Sequence, residues 1–179
     1  MELYKDVAKI LYSKEALEAR TAELGAEISR DYKGKQLLMV CILRGAAIFF
    51  SDLIRKVDLD LEIDFMATSS YGADTKSSGE VKLQKDLNSP ILGRDVLIVD
   101  DIIDSGLTLA YLKKLLLARN PASVKICALM EKPERKQANI EVDYVGFVVP
   151  NEFVVGYGLD YGEKYRQLPD VCVLSPEKY

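Results

Sequence analysis

The run QLLMVCIL, Gln36 to Leu43, constrains the fold more than any other stretch of this chain. Its apolar residues are consecutive rather than alternate, and turn residues bound it closely: Asp31 to Gly34 before, Arg44-Gly45 after. A short run of this kind reads as a strand covered on both faces. RDVLIVD, Arg94 to Asp100, repeats the pattern. Strands buried on both sides need helices to bury them, and the intervening segments supply the spacing. Ser13 reads as the N-cap of a helix in which Leu17, Thr21, Leu24 and Ile28 share one face. AAIFFSDLIRKV follows the first buried run, and Leu107 to Arg119 follows the second, with Leu112, Leu115 and Leu116 inward and Asn120-Pro121 as the stop. In LEIDFMA, Leu61, Ile63 and Phe65 alternate with Glu62 and Asp64, the period of a half-buried strand. EVKLQKDL, SVKICALME, VDYVGFVV, EFVVGYG and DVCVL are further strands. This alternation predicts an α/β fold with a mostly parallel twisted sheet flanked by helices. With neither internal repeat nor linker, residues 1–179 read as a single domain.

Composition excludes several function classes. No run approaches the roughly 18 apolar residues of a membrane helix, and MELYKDVAKILYSKEALEAR lacks the layout of a secretory signal. Cys41, Cys127 and Cys172 each sit in an apolar run and read as reduced core residues, which suggests the cytoplasm. A net charge of −4 argues against a general nucleic-acid or anionic-membrane partner. The chain has 0 histidines, so the commonest general base and zinc ligand are missing. Clustered aspartates suit a divalent cation better.

The aspartates concentrate in VLIVDDIIDSGLTLAYL, Val96 to Leu112. In an open parallel sheet, ligands gather at the carboxyl ends of strands, where Asp100 and Asp101 fall. The turn Asp104-Ser105-Gly106-Leu107-Thr108 leads into a helix whose first N–H groups lack internal partners. With a glycine for close approach and the hydroxyls of Ser105 and Thr108, the turn makes a phosphate cradle. The two acids would repel that phosphate and need hydroxyls or a cation. A sugar phosphate satisfies both ends. Helix caps at Asp104 or Ser105, with exposed acids at a strand end, explain the same residues. A phosphoacceptor receiver domain fits poorly, since the acidic pair lies past the chain's middle, and no Walker-type loop is present.

VLIVDDIIDSGLTL resembles the signature of the type I phosphoribosyltransferases: an apolar strand, two acids, two apolar residues, then Asp-Ser/Thr-Gly-x-Thr. ILRG (Ile42 to Gly45), SSYG (Ser69 to Gly72), MEKPER (Met130 to Arg135) and the stretch Val142 to Leu174 resemble the hypoxanthine-guanine branch in order and spacing. The similarity covers nearly the whole chain. It implies the type I fold, with a small hood built from the terminal segments, and Mg2+-dependent transfer of ribose 5-phosphate from phosphoribosyl pyrophosphate to N9 of a 6-oxopurine, releasing pyrophosphate. Hypoxanthine is the first expected base and guanine the second, with xanthine undecided. Adenine is disfavoured, because Lys132 pairs poorly with an amino group.

The resemblance also implies roles. Residues Asp104 to Thr108 would hold the 5′-phosphate, while Asp100 and Asp101 would address the ribose hydroxyls and the cation-like sugar. Asp104 would contact N7 of the purine and handle its proton. Leu43, Arg44 and Gly45 would bind pyrophosphate through backbone amides, commonly across a cis peptide between the first two, and Arg166 would meet the same group. Lys132 would donate to O6, Phe153 would stack on the base and Val154 would read it through its backbone. Asp160 would bind Mg2+ beside Asp100 and Asp101. Taken alone, Lys132 is a solvated charge, Phe153 a core residue and Arg166 a surface residue. The polar segment Thr68 to Glu80 has the composition of a mobile loop, and the resemblance makes it a lid closed by Ser70 and Tyr71.

A regulator on the same fold, binding phosphoribosyl pyrophosphate or a nucleotide without catalysis, would keep the phosphate loop. It would need a basic face or an added segment, which this acidic chain lacks, and would have less use for the base-binding end. The resemblance implies a homodimer or homotetramer, with Phe49 and Phe50 either core or interface.

Overall fold

A computed structural model of the chain describes residues 2–70 and 81–179. In chain order these form β1 (Val7–Tyr12), α1 (Lys14–Asp31), β2 (Leu37–Leu43), α2 (Ala47–Ile54), β3 (Leu61–Ser70) and β4 (Val81–Lys85). There follow β5 (Asp95–Ile103), α3 (Leu107–Leu117), β6 (Ser123–Glu131), β7 (Tyr144–Val148), β8 (Val154–Val155) and β9 (Val171–Leu174). The six-stranded sheet runs β4-β3-β2-β5-β6-β7 and is parallel except for the β3–β4 pair. A second, antiparallel sheet of three strands, β1-β9-β8, draws on both ends of the chain and is the expected hood.

The consecutive apolar residues of β2 divide by parity, as side chains must on a pleated strand. Leu37, Met39 and Cys41 join one core with Leu17, Leu24 and Ile28 of α1 and Phe49, Phe50 and Leu53 of α2. Leu38, Val40 and Ile42 join the other with Leu109, Leu112 and Leu116 of α3. Phe49 and Phe50 are thus core residues, and all three cysteines are buried and free. Ser13 caps α1 by accepting the Ala16 N–H at 3.3 Å.

Three expectations need correction. The polar segment does not start at Thr68: β3 carries that residue and Ser69 and Ser70 in antiparallel pairing with β4. The alternation in β3 inverts near the strand's centre, where Ile63 is 45% exposed and Asp64 only 5%. Asp64 is buried because it accepts hydrogen bonds from the backbone N–H and side-chain amide of Asn88, at 2.7 and 3.0 Å, and lies 3.4 Å from Lys85 Nζ. In EFVVGYG only Val154 and Val155 are strand. Strand β1 had no counterpart in the sequence reading; its exposed Lys9 and Ile10 disguise a pairing made with β9 across the length of the chain.

Candidate active site

Strand β5 continues past Asp100 to Ile103, so the paired acids lie within its last four residues rather than at its end. Asp100 and Asp101 face a cleft of about 330 Å³ that also meets Arg44, Gly45, Thr68 and Arg166. The turn residues Asp104, Ser105, Gly106 and Thr108 line its far side, while Leu107 is not part of the lining. The cleft is therefore where the pyrophosphate-side and phosphate-side candidates converge. A larger cavity of about 490 Å³ lies between α1, α2 and the segment from Tyr157 to Pro169, and contains none of the candidate residues.

Gly106, not Asp104 or Ser105, is the N-cap of α3, and no side chain caps the helix. Its φ of 76° lies in the left-handed region, where a glycine is strongly favoured. Ser105 Oγ is 3.4 Å from the Leu107 N–H, at the edge of hydrogen-bonding range. The first turn of α3 so presents N–H groups to the cleft with little internal competition.

The two strand acids strain against each other. Burial, followed by the Asp101 charge, holds the Asp100 carboxyl well above the ordinary carboxylate range. Burial raises Asp101 as well, opposed by the Ile102 N–H it accepts at 2.7 Å. Both acids are poised to gain from hydroxyl donors or positive charge. Opposite them, Arg166 donates to the Gly158 carbonyl at 2.7 Å and pairs with Asp160 at 2.9 Å. The Leu43–Arg44 peptide is cis.

A further cavity, of about 210 Å³, shares Asp101, Ile102, Asp104 and Asp160 with the cleft and adds Lys132, Phe153, Val154 and Leu159. Lys132 is 8% exposed, not solvated, and burial lowers its pKa from the ordinary lysine value. The Lys132 N–H donates to the Ile103 carbonyl at 2.9 Å, tying the end of β6 to the end of β5. Its Nζ donates to the Glu152 carbonyl at 2.8 Å, which leaves two of its three donors for a ligand. Phe153 is partly buried against the hood core.

Two contacts were not anticipated. Arg135, within the MEKPER motif, pairs with Asp104 at 2.5 Å. Arg44 pairs with Glu163 at 2.5 Å. Neither follows from spacing, because each joins segments far apart in the chain. Of the lid candidates, Tyr71 and the rest of the segment 71–80 lie outside the described residues, and Ser70 closes β3.

The donor set around the cleft consists of oxygens. Among the described residues no three acidic or cysteine side chains cluster closely enough to cage an ion. Mg2+, which commonly takes one or two carboxylates and completes its shell with water and substrate phosphates, fits such a set. No helix among the described residues is long and apolar enough to cross a membrane.

Comparison with known proteins finds relatives over nearly the whole chain. The family model described as the phosphoribosyl transferase domain matches residues 7–162. The chain is 52% identical over 177 residues to the hypoxanthine-guanine phosphoribosyltransferase of Streptococcus thermophilus, covering 99% of this chain and 98% of that protein. It is 53% identical over 177 residues to the bifunctional protein TilS/HprT of Listeria monocytogenes, and the match spans 99% of this chain but only 27% of that longer protein. The crystal structure of a hypoxanthine phosphoribosyltransferase from Staphylococcus aureus superposes with a TM-score of 0.97 at 47% identity, covering 100% of this chain and 97% of that one.

Proposed function

This chain belongs to the phosphoribosyl transferase family, and we propose that it transfers ribose 5-phosphate from phosphoribosyl pyrophosphate to N9 of hypoxanthine or guanine, a purine salvage reaction giving IMP or GMP. One observation carries the base assignment. The cavity holding Lys132, Phe153 and Val154 shares Asp101, Asp104 and Asp160 with the phosphate-side cleft, so base and sugar phosphate can meet over the same acids.

In this reading the turn at Asp104 to Thr108 holds the 5′-phosphate through backbone N–H groups and the Ser105 and Thr108 hydroxyls. Asp100 and Asp101 accept from the ribose hydroxyls. As the C1′–oxygen bond to pyrophosphate breaks, the sugar becomes cation-like, and the two carboxylates stabilise it. The N9 lone pair forms the new bond to C1′, and Asp104 takes the proton from N7. Lys132 donates to O6 and so holds the base in place for the attack. Leu43, Arg44, Gly45 and Arg166 bind the leaving pyrophosphate, and Ser70 and Tyr71 exclude water. One or two of Asp160, Asp100 and Asp101 would hold Mg2+, with water and substrate oxygens completing its shell, and the ion would supply positive charge against the pyrophosphate oxygens. The buried, free cysteines support a reducing cytoplasmic setting.

A coupled assay with phosphoribosyl pyrophosphate, Mg2+ and each of hypoxanthine, guanine, xanthine and adenine tests the reading, with Asp104→Ala alongside. Nucleotide from hypoxanthine or guanine, lost in the variant, is the expected result. Tight binding of phosphoribosyl pyrophosphate with no transfer to any base would favour the regulator. Light scattering of the same preparation tests the homodimer or homotetramer.

A further inference from the structure

The aromatic ring assigned to the base is itself held by two other rings. Tyr179 stacks on Phe153 with centroids 4.9 Å apart and planes 27° from parallel. Tyr161 meets Phe153 edge-on at 5.4 Å and 87°, and also meets Tyr179 at 6.5 Å. Tyr179 lines a cavity of about 370 Å³ together with Asp104, Lys132, Arg135 and Phe153, so its ring borders the groups assigned to N7 and O6. Tyr179 is nonetheless 54% exposed, more than a ring needs to be if its purpose is to fill a core. Its approach is fixed by the preceding 3-10 turn, Pro176–Lys178, which Lys178 anchors to Asp6 at 3.0 Å.

We propose that Tyr179 is a positioning residue for base binding: it backs one face of Phe153 and fixes that ring's orientation so that the other face receives the purine. The inference rests on the base-binding reading above. A phenylalanine has two faces. Stacking on one restricts rotation of the ring, and Tyr161 at its edge restricts it further. A base arriving at the free face then meets a platform already in place, and less of its stacking energy goes into ordering that platform. The effect acts on the base alone. Phosphoribosyl pyrophosphate occupies the cleft of Asp100, Gly45 and Arg166, whose lining does not include Tyr179.

The test compares wild type, Tyr179→Phe, Tyr179→Ala and Lys178→Ala in two measurements: steady-state kinetics, and calorimetric binding of IMP, which needs no turnover. In Tyr179→Ala the KM for hypoxanthine and the Kd for IMP are expected to rise about 3- to 10-fold, the scale of one aromatic pair. The kcat and the KM for phosphoribosyl pyrophosphate should stay within about twofold. Tyr179→Phe should restore wild-type values, because stacking needs the ring and not the hydroxyl, and Lys178→Ala should move in the direction of Tyr179→Ala by a smaller factor. Unchanged constants in Tyr179→Ala would overturn the proposal. So would tighter base binding, which would mean that Tyr179 occupies the place of the base. A wild type that binds IMP without transfer, and binds it more weakly as Tyr179→Ala, would sink the enzyme reading and uphold the platform. A wild type that neither transfers nor binds IMP would overturn both.

Discussion

A β-carbon placed on Gly45 would lie 1.6 Å from Oδ2 of Asp101. No real contact is that short, so the loop after β2 and the second acid of β5 can pack together only because residue 45 has no side chain. The Gly45 carbonyl is in turn packed against Gly158, where a β-carbon would fall 2.1 Å from it and where φ is 104°. Three segments, carrying pyrophosphate-side, sugar-side and Asp160-side candidates, therefore meet through two glycines.

Gly45→Ala is expected to displace either the loop or the Asp101 carboxylate. A shift on the order of 1 Å at a reacting centre costs roughly 100-fold in rate, so kcat/KM should fall by about that factor or more. The overpacking should also lower stability by about 1–3 kcal/mol. Steady-state kinetics alongside thermal melting would check both. Wild-type activity in this variant would mean that the contact is slack.

Asp100 is held against its own charge, which makes a signed prediction about pH. Its folded pKa lies above the ordinary value of 3.8 because of burial and the neighbouring Asp101. Between those two values the folded chain keeps a proton that the unfolded chain has lost, so stability falls as pH rises through that window and stays lower above it. Asp100→Asn removes the titration. It should melt higher than wild type at pH 8. The gap should close as pH is lowered toward 4, with chelator present to exclude bound cations. Transfer activity should drop in the same variant, an exchange of function for stability of the usual kind. A variant less stable than wild type at pH 8 would contradict the assignment of strain.

How much of this was readable beforehand depends on whether the cause was local. The parity of Leu37 to Ile42 and the spacing of Leu17, Leu24 and Ile28 are properties of one element, and both cores followed from them. The turn from Asp104 to Thr108 is likewise contiguous, and its place before a helix was plain. Burial of Asp64 could not be read, since Lys85 and Asn88, which satisfy it, arrive from the end of the next strand and from just beyond it. Burial of Lys132 has the same origin: the Glu152 carbonyl that receives it lies twenty residues on. Strand β1 failed for a third reason, because its partner β9 lies at the other end of the chain.

Asp104 separates function from stability. Its pair with Arg135 joins side chains that are 44% and 51% exposed, and exposed pairs contribute about 0–1 kcal/mol. Asp104→Asn should therefore leave the melting temperature within a few degrees of wild type. If the carboxylate handles the N7 proton, the same change should lower kcat by roughly 100- to 10,000-fold. A loss confined to KM, with kcat unchanged, would instead make Asp104 a binding group.

Asp170 gives the opposite separation. It is 8% exposed and lies away from the cleft, at the entry to β9. One carboxylate oxygen accepts the Tyr4 hydroxyl at 2.5 Å, and the other accepts the Lys14 N–H at 2.7 Å, capping α1 from the far end of the chain. Hydrogen bonds to a buried charge contribute about 1.5–3 kcal/mol each. Asp170→Ala leaves the Tyr4 hydroxyl and the first N–H of α1 without this partner, so a loss of about 2–4 kcal/mol is expected, with kcat/KM unchanged at 25 °C. The contact also has a pH signature. Hydrogen bonding to Asp170 raises the Tyr4 pKa from 10.0 to about 12. A hydroxyl with a raised pKa contributes stability that is whole below pH 10 and is lost as pH climbs through 12. The difference in melting temperature between wild type and Asp170→Ala should therefore be constant from pH 7 to 9 and narrow above pH 10. A difference that ignored pH there would mean that the hood is tethered by the Lys14 contact alone.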